Sequence, residues 1–151
     1  MKKWSHDTEI NASIEQVWNL LNGSLEDMQK IMPNVIENKP IKVTDDGIGS
    51  IYRQKYQEGK RISEYDVETL IHMDKPDHKE LKVGFTLGNM FEITALYELD
   101  RINEDETYFR YTTTNKPLKI FLKLFMLLAS NKIVVQFVER VKNVAENQKN
   151  N

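Results

Sequence analysis

The chain has 151 residues, a formal net charge of −2, 40% hydrophobic and 29% charged residues, and no cysteine. This length and balance suit one soluble globular core. The absence of cysteine excludes disulfides and thiolate chemistry and fits a reducing, cytoplasmic compartment. The near-neutral charge, with lysines dispersed among acids, gives no broad attraction for nucleic acid.

Residues 2–10 alternate, with Trp4, His6, Thr8 and Ile10 on one face and Lys3, Ser5, Asp7 and Glu9 on the other. That period of two predicts a half-buried strand. The opening MKKWSHDTEI contains no apolar run, so no signal peptide is expected. Ser13 with Gln16 three residues later reads as a capping box, and Ile14, Val17, Trp18 and Leu21 follow at helical spacing. Gly23 ends that helix. Ser24 starts a second one carrying Leu25, Met28, Ile31 and Met32, and Pro33 stops it.

Six strands are predicted next. Val35–Val43 ends at Asp45-Asp46-Gly47. Ile48–Gln57 carries Tyr52, Gln54 and Tyr56 on one face and turns at Glu58-Gly59-Lys60. Arg61–Met73 sets Tyr65, Val67, Thr69, Ile71 and Met73 opposite Glu64, Asp66 and Glu68. Lys79–Leu87 follows the Lys75-Pro76-Asp77 turn and aligns Leu81, Val83, Phe85 and Leu87. After Gly88-Asn89, the run Phe91, Ile93, Ala95, Tyr97 and Leu99 shares a face. After Asn103-Glu104-Asp105, Thr107, Phe109, Tyr111 and Thr113 do the same.

Pro117 is read as the first-turn residue of a final helical region reaching Gln148. Advancing about 100° per residue, Phe121, Leu124, Phe125 and Leu128 gather on one side, opposite Lys116, Lys119 and Lys123. Beyond residue 130, Val134, Phe137, Val138, Val141 and Ala145 gather on the side the lysines held. One straight helix cannot bury both faces against one sheet. The expectation is two segments, 117–129 and 131–148, broken at the N-capping pair Ser130-Asn131. The apolar run at 120–129 contains Lys123 and falls short of the roughly 20 residues a bilayer crossing needs.

The order is one strand, two short helices, six strands and a long helix. It implies an α+β grip: a seven-stranded antiparallel sheet wrapped around the C-terminal helix, as one domain over 1–148 with a polar tail at 149–151. The signatures of hydrolytic, phosphate-binding and metal chemistry are absent. His6, His72 and His78 are scattered, Gly47-x-Gly49 leads into a strand, and there is no Gly-x-Ser-x-Gly elbow. No catalytic group, metal or cofactor is therefore assigned. Arg53, Arg110, Glu64, Asp66 and Glu68 have the parity of a solvated convex face.

The element order, with Glu9-Ile10-Asn11-Ala12-Ser13 leading to Val17-Trp18, Pro33 after the second helix, Asp46-Gly47-Ile48-Gly49-Ser50 before a strand, and Val141…Ala145-Glu146 near the end, resembles the START/Bet v 1-like (SRPBCC) superfamily. The resemblance is to its polyketide cyclase/dehydrase and lipid-transport branch. It covers nearly the whole chain and implies a helix-grip fold with a deep cavity between sheet and C-terminal helix that takes hydrophobic small molecules. The expected ligand-binding residues are His6, Tyr52, Tyr56, Tyr65, Phe85, Phe91, Tyr97 and Tyr111, with Phe121 and Phe125 from the segment before the break. The first functional reading is carriage of a lipid-like or aromatic molecule. The alternatives are a polyketide cyclase/dehydratase-like enzyme and an Hsp90-activator-like interaction module. A monomer or weak homodimer is expected, with transient membrane-surface contact through Lys116, Lys119 and Lys123.

Overall fold

The computed structural model describes residues 1–122 and 130–149. Strand β1 (Lys2–Ile10) is followed by helices α1 (Ile14–Asn22) and α2 (Leu25–Ile31). Strands β2 (Val35–Lys42), β3 (Ile51–Glu58), β4 (Arg61–Asp74), β5 (His78–Leu87), β6 (Phe91–Asn103) and β7 (Glu106–Pro117) follow, then helix α3 (Lys132–Lys149). The seven strands form one antiparallel sheet in the order β1-β7-β6-β5-β4-β3-β2. Sequential hairpins build β2 to β7, and β1 closes on the far edge beside β7.

The helix starts form as their caps dictate. Ser13 Oγ accepts from Gln16 N–H at 3.2 Å, and Gln16 Oε1 accepts from Ser13 N–H at 3.2 Å. These two bonds satisfy donors that a first helical turn otherwise leaves open. Ser24 caps α2 through Asp27 N–H at 3.1 Å. At α3, Asn131 O accepts from Val135 N–H at 3.0 Å, so the helix begins just after Asn131.

Helix α3 lies along β1. His6 Nε2 is 3.8 Å from Glu139 Oε1, Lys142 Nζ donates to Glu9 O at 2.7 Å, and Asn11 N–H donates to Glu146 Oε2 at 2.8 Å. These partners ascend together in both segments, so helix and strand point the same way. Val134, Val138, Val141 and Ala145 are buried on its inner face. The main core joins Val138, Val141 and Ala145 to Ile10, Val17, Trp18, Leu20, Leu99 and Phe109. Thr107 Oγ1, fully buried, donates to Ala12 O at 2.8 Å and locks the β1–α1 corner to β7.

Three local expectations change. Pro117 closes β7, opposite Phe91, instead of opening a helix. Proline tolerates a strand end, where no further ladder donor is needed. After it, Ile120–Leu122 forms a 3-10 turn; the rest of the expected first segment lies outside the described residues. Strand β3 starts at Ile51, not Ile48, because Gly47 and Gly49 hold positive φ (86° and 84°) and Ile48 N–H is tied to Asp46 Oδ1 at 3.1 Å. In β4 the pairing with β5 skips Leu70, so Thr69 faces Val83 while Ile71 faces Lys82 and His72 faces Leu81. This bulge reverses the parity. His72 joins the inner face that Ile71 and Met73 were expected to share.

Candidate ligand cavity

Helix α3 covers only one side of the concave face, packing over β1 and β7 and against α1 and α2. Strands β3, β4 and β5 lie beyond its reach, on the other side of the sheet. Between them and the helices lies a cavity of about 1030 Å³, as bounded by the described residues. Its floor consists of inward residues at a period of two: Tyr52, Gln54 and Tyr56 on β3; Tyr65, Val67 and Thr69 on β4; Leu81, Val83 and Phe85 on β5; Phe91, Ala95 and Tyr97 on β6; Tyr111, Thr113 and Asn115 on β7. Met28 and Met32 come from α2 and just beyond it, Trp4 from β1, and Ser130, Ile133 and Val134 from the start of α3.

Aromatic stacks stiffen this floor. Tyr65 and Phe85 stack with centroids 5.0 Å apart and planes at 24°, Tyr97 and Tyr111 at 5.2 Å and 25°. Phe137 of α3 tilts against Tyr111 at 4.6 Å and joins that pair to the helix. Such offset aromatic contacts add about 0.5–1.5 kcal/mol each beyond area burial.

The cavity's polarity is graded. At the β2–β3 side Gln54 Nε2 donates to Asn38 Oδ1 at 3.2 Å, and Asn34 Nδ2 donates to the Tyr56 hydroxyl at 3.2 Å. Glu58 and Arg61, beside the β3–β4 turn, place charge near that end. Deeper in, burial pushes the Tyr65 hydroxyl up to about 12, with Tyr56 adding to the shift. Burial also raises Tyr97 and Tyr111 well above the ordinary 10.0. All three stay protonated in neutral water. Asn115 Oδ1 is buried and, among the described residues, accepts no hydrogen bond. A buried amide oxygen without a donor is costly. The arrangement suits an apolar or aromatic body carrying a few uncharged hydrogen-bonding groups.

Of the expected site residues, Tyr52, Tyr56, Tyr65, Phe85, Phe91, Tyr97 and Tyr111 come together here. His6 does not line the cavity. It points inward, as its parity requires, but into the part of the concave face that α3 covers, near Glu139. The side chain of Phe121, together with Lys123 and Phe125, lies outside the described residues. Trp4, Gln54, Thr113 and Asn115 line the cavity as well, beyond the expected set, and strand parity carries the signal for each. Met28 of α2 and Met32 just beyond it are further lining residues outside the expected set. Arg53 is on the convex face, where its Nε is 2.9 Å from Asp66 Oδ1, and Arg110 pairs there with Glu98 at 3.1 Å.

One further group sits beside this site. Lys79 shares the inward parity of Leu81, yet its side chain is only 2% exposed. Its ammonium lies 3.0 Å from Glu15 Oε1, bonds Asp74 Oδ1, and is 5.7 Å from the Trp18 ring centre. Burial pulls the ammonium down, but Asp74 and Glu15 outweigh it, so its pKa lies above the ordinary 10.5. With both carboxylates engaged, Lys79 is a pinned cation joining α1 to the β4–β5 hairpin. Among the described residues no group of three or more histidines, aspartates or glutamates is placed to hold a metal ion. No described helix is long and apolar enough to cross a membrane.

No family model matches the chain, and no curated protein matches it. Solved structures do share its architecture. The Zhui aromatase/cyclase from Streptomyces sp. R1128 superposes with a TM-score of 0.73 at 13% identity, covering 98% of this chain and 95% of that one. Norcoclaurine synthase from Thalictrum flavum, in complex with dopamine and hydroxybenzaldehyde, gives 0.65 at 16% identity over 95% of this chain and 85% of that one. The major latex-like protein 151 of Panax ginseng gives 0.66 at 18% identity over 97% and 96%. At such identities the likeness establishes the fold alone. That shared fold is a helix grip, the architecture that the resemblance in the sequence implied.

Proposed function

We propose that this chain binds and carries a hydrophobic, uncharged small molecule, lipid-like or aromatic, in the cavity between the sheet and α3. The observation that carries the reading is the cavity itself: about 1030 Å³ in size and floored by stacked aromatics and aliphatic side chains. Ligand sites span about 300–1,000 Å³ and combine an apolar lining with a few polar groups. This one lies at the upper end of that range. The protonated tyrosine hydroxyls supply orientation without demanding a charged ligand. The aromatic ligands in the norcoclaurine synthase complex lend support by analogy of fold.

The test is native mass spectrometry of the purified protein with a fluorescent fatty-acid titration, on the wild type and Ala95→Phe. Ala95 is 4% exposed on the cavity floor, so a phenyl ring there projects into the ligand's space. Saturable binding by the wild type and its loss in the variant, with urea unfolding showing a folded protein, is the expected result. No bound apolar molecule and no saturable titration, or undiminished binding by Ala95→Phe, would refute the reading.

A cyclase-like activity is the second reading, favoured by one observation. Tyr65, Tyr97 and Tyr111 are hydroxyl donors held protonated inside an apolar space, where they could polarise a substrate carbonyl. It requires that Tyr97→Phe abolish turnover of a poly-β-ketone mimic while ligand affinity changes little. Equal turnover by the variant would remove it.

A further inference from the structure

One end of the molecule is basic and greasy at once. At the end of the sheet where β1 begins and β7 finishes, Lys2 pairs in register with Asn115 and Lys3 with Thr114. Lys116 and Lys119 follow in the chain, and Leu118 N–H bonds Met90 O at 2.8 Å, bringing in the β5–β6 turn. Because α3 runs in the direction of β1, its first turn, with Lys132 and Ile133, reaches the same end. Segments 1–4, 87–92, 116–122 and 130–133 thus hold five lysines against one acid, Glu92, in a chain whose total charge is −2. Among the described residues none of the five forms an ion pair.

Large apolar side chains stand among these lysines. Ile120 is 84% exposed, Ile133 78%, Leu118 44% and Met90 42%. Exposed aliphatics clustered on one rim mark an interaction surface. Ile133 and Met90 also line the cavity, so the rim and the opening are continuous. An acidic protein would match the lysines but would leave Ile120 and Ile133 little apolar surface unless it were built for both. A bilayer offers both by construction: anionic headgroups outside and hydrocarbon a few ångströms below.

We propose that this rim docks onto anionic lipid membranes, with Lys116, Lys119 and Lys132 meeting headgroup phosphates and Ile120 and Ile133 entering the acyl boundary, so that the cavity opens toward the membrane. An apolar molecule then passes between bilayer and cavity without crossing bulk water. The docking depends on the rim alone and stands whether or not the cavity reading does.

The experiment is co-sedimentation with phosphatidylglycerol and with phosphatidylcholine vesicles, at low and high salt. The wild type should bind phosphatidylglycerol at low salt and be released near 1 M salt, where screening falls to about 3 Å. Lys116→Gln, Lys119→Gln and Lys132→Gln together should weaken binding on the order of a hundredfold, about fivefold per lysine. Ile120→Ser with Ile133→Ser should also weaken it, with circular dichroism unchanged in both variants because these side chains are exposed. The cavity-filled Ala95→Phe should sediment like the wild type, so failure of the rim and failure of the cavity are read apart. Absence of binding at low salt, equal binding to phosphatidylcholine, or indifference to the lysine substitutions overturns the proposal; the first leaves an acidic protein as the occupant.

Discussion

Lys79 offers a test of what a buried cation does in this fold. Its side chain is 2% exposed, but its partners are not buried: Glu15 is 63% exposed and Asp74 48%. Removing one member of a fully buried ion pair costs about 3–5 kcal/mol because the other charge is stranded. Here both carboxylates rehydrate when the ammonium leaves, so each pair behaves as a surface pair worth about 0.2–1 kcal/mol. The cation above Trp18 adds about 0.5–1 kcal/mol, and removing the charge also recovers the ammonium's desolvation. The aliphatic stem is different. Lys79→Ala removes three buried methylenes at about 0.8 kcal/mol each, a loss of about 2–3 kcal/mol. Lys79→Met keeps most of the stem and gives sulfur an aromatic neighbour, so it should cost less than about 1 kcal/mol. Urea unfolding at pH 7 measures both. Equal losses for Met and Ala would show that the charge, not the stem, holds α1 to the hairpin, and would refute the reasoning.

The same residue has a pH signature. A folded-state pKa above 10.5 means that Lys79 contributes stability fully below that value and loses it as pH rises through the folded pKa. The tyrosines act in the same direction. A phenol raised from 10.0 to about 12, as at Tyr65, favours the folded state below pH 10 and ceases to as pH passes 12. Wild-type stability should therefore fall from pH 10 upward. Lys79→Met should fall less steeply but still fall.

Phe137→Ala should cost about 2–3 kcal/mol in urea unfolding, below the roughly 3–5 of a fully buried phenylalanine, because Phe137 is half-buried while leaning on Tyr111; a loss under about 1 kcal/mol would show that the α3 contact carries nothing. Ser13→Ala should cost about 1 kcal/mol through the lost capping box, with Ser13→Asp close to wild type; an alanine variant as stable as wild type would count against the cap. His78 Nδ1–H donates to Asp100 Oδ1 and Nε2 faces Glu80 at 3.2 Å, and Asp100 chiefly, then Glu80, raise its pKa above 6.5. Its stabilising contribution should be present below pH 6.5 and disappear as pH rises through the raised value. NMR titration of His78 should show the raised pKa in wild type and a lower one in Asp100→Asn; identical midpoints would refute the pairing.

The cavity tyrosines were legible because a period of two holds along β3, along β4 as far as Thr69, and through the parts of β6 and β7 that floor the cavity, so residues of one parity share a face there. Two features escaped for one physical reason: they are set by cross-strand pairing, not by a strand's own sequence. The Leu70 bulge depends on β5, where Gly84 leaves room. A Cβ on Gly84 would sit 3.1 Å from Leu70 Cδ1. Once Leu70 drops out of register, His72 turns inward beneath Trp18, with ring centres 5.8 Å apart. Gly47 passes over it so closely that a Cβ there would fall 2.9 Å from the imidazole Cγ. Gly47 is therefore required twice, by its positive φ and by the ring below it.

His6 exposes a second limit of parity. An inward residue meets either a helix or a void, and alternation alone does not separate them. The separation lies in which strands the helix covers. Helix α3 approaches the sheet through Val134, Val138, Val141 and Ala145, small side chains that let its axis settle close over β1 and β7. Close approach there keeps the helix over one side of the sheet, so that it does not cover β3, β4 and β5. The aromatics lie mainly on that uncovered half and its boundary, where Tyr65 with Phe85 and Tyr97 with Tyr111 support one another in pairs across neighbouring strands. A sheet face that is apolar, stiffened by its own stacking and not filled by the helix is stable as a wall, and the proposed carriage of an apolar molecule rests on that wall.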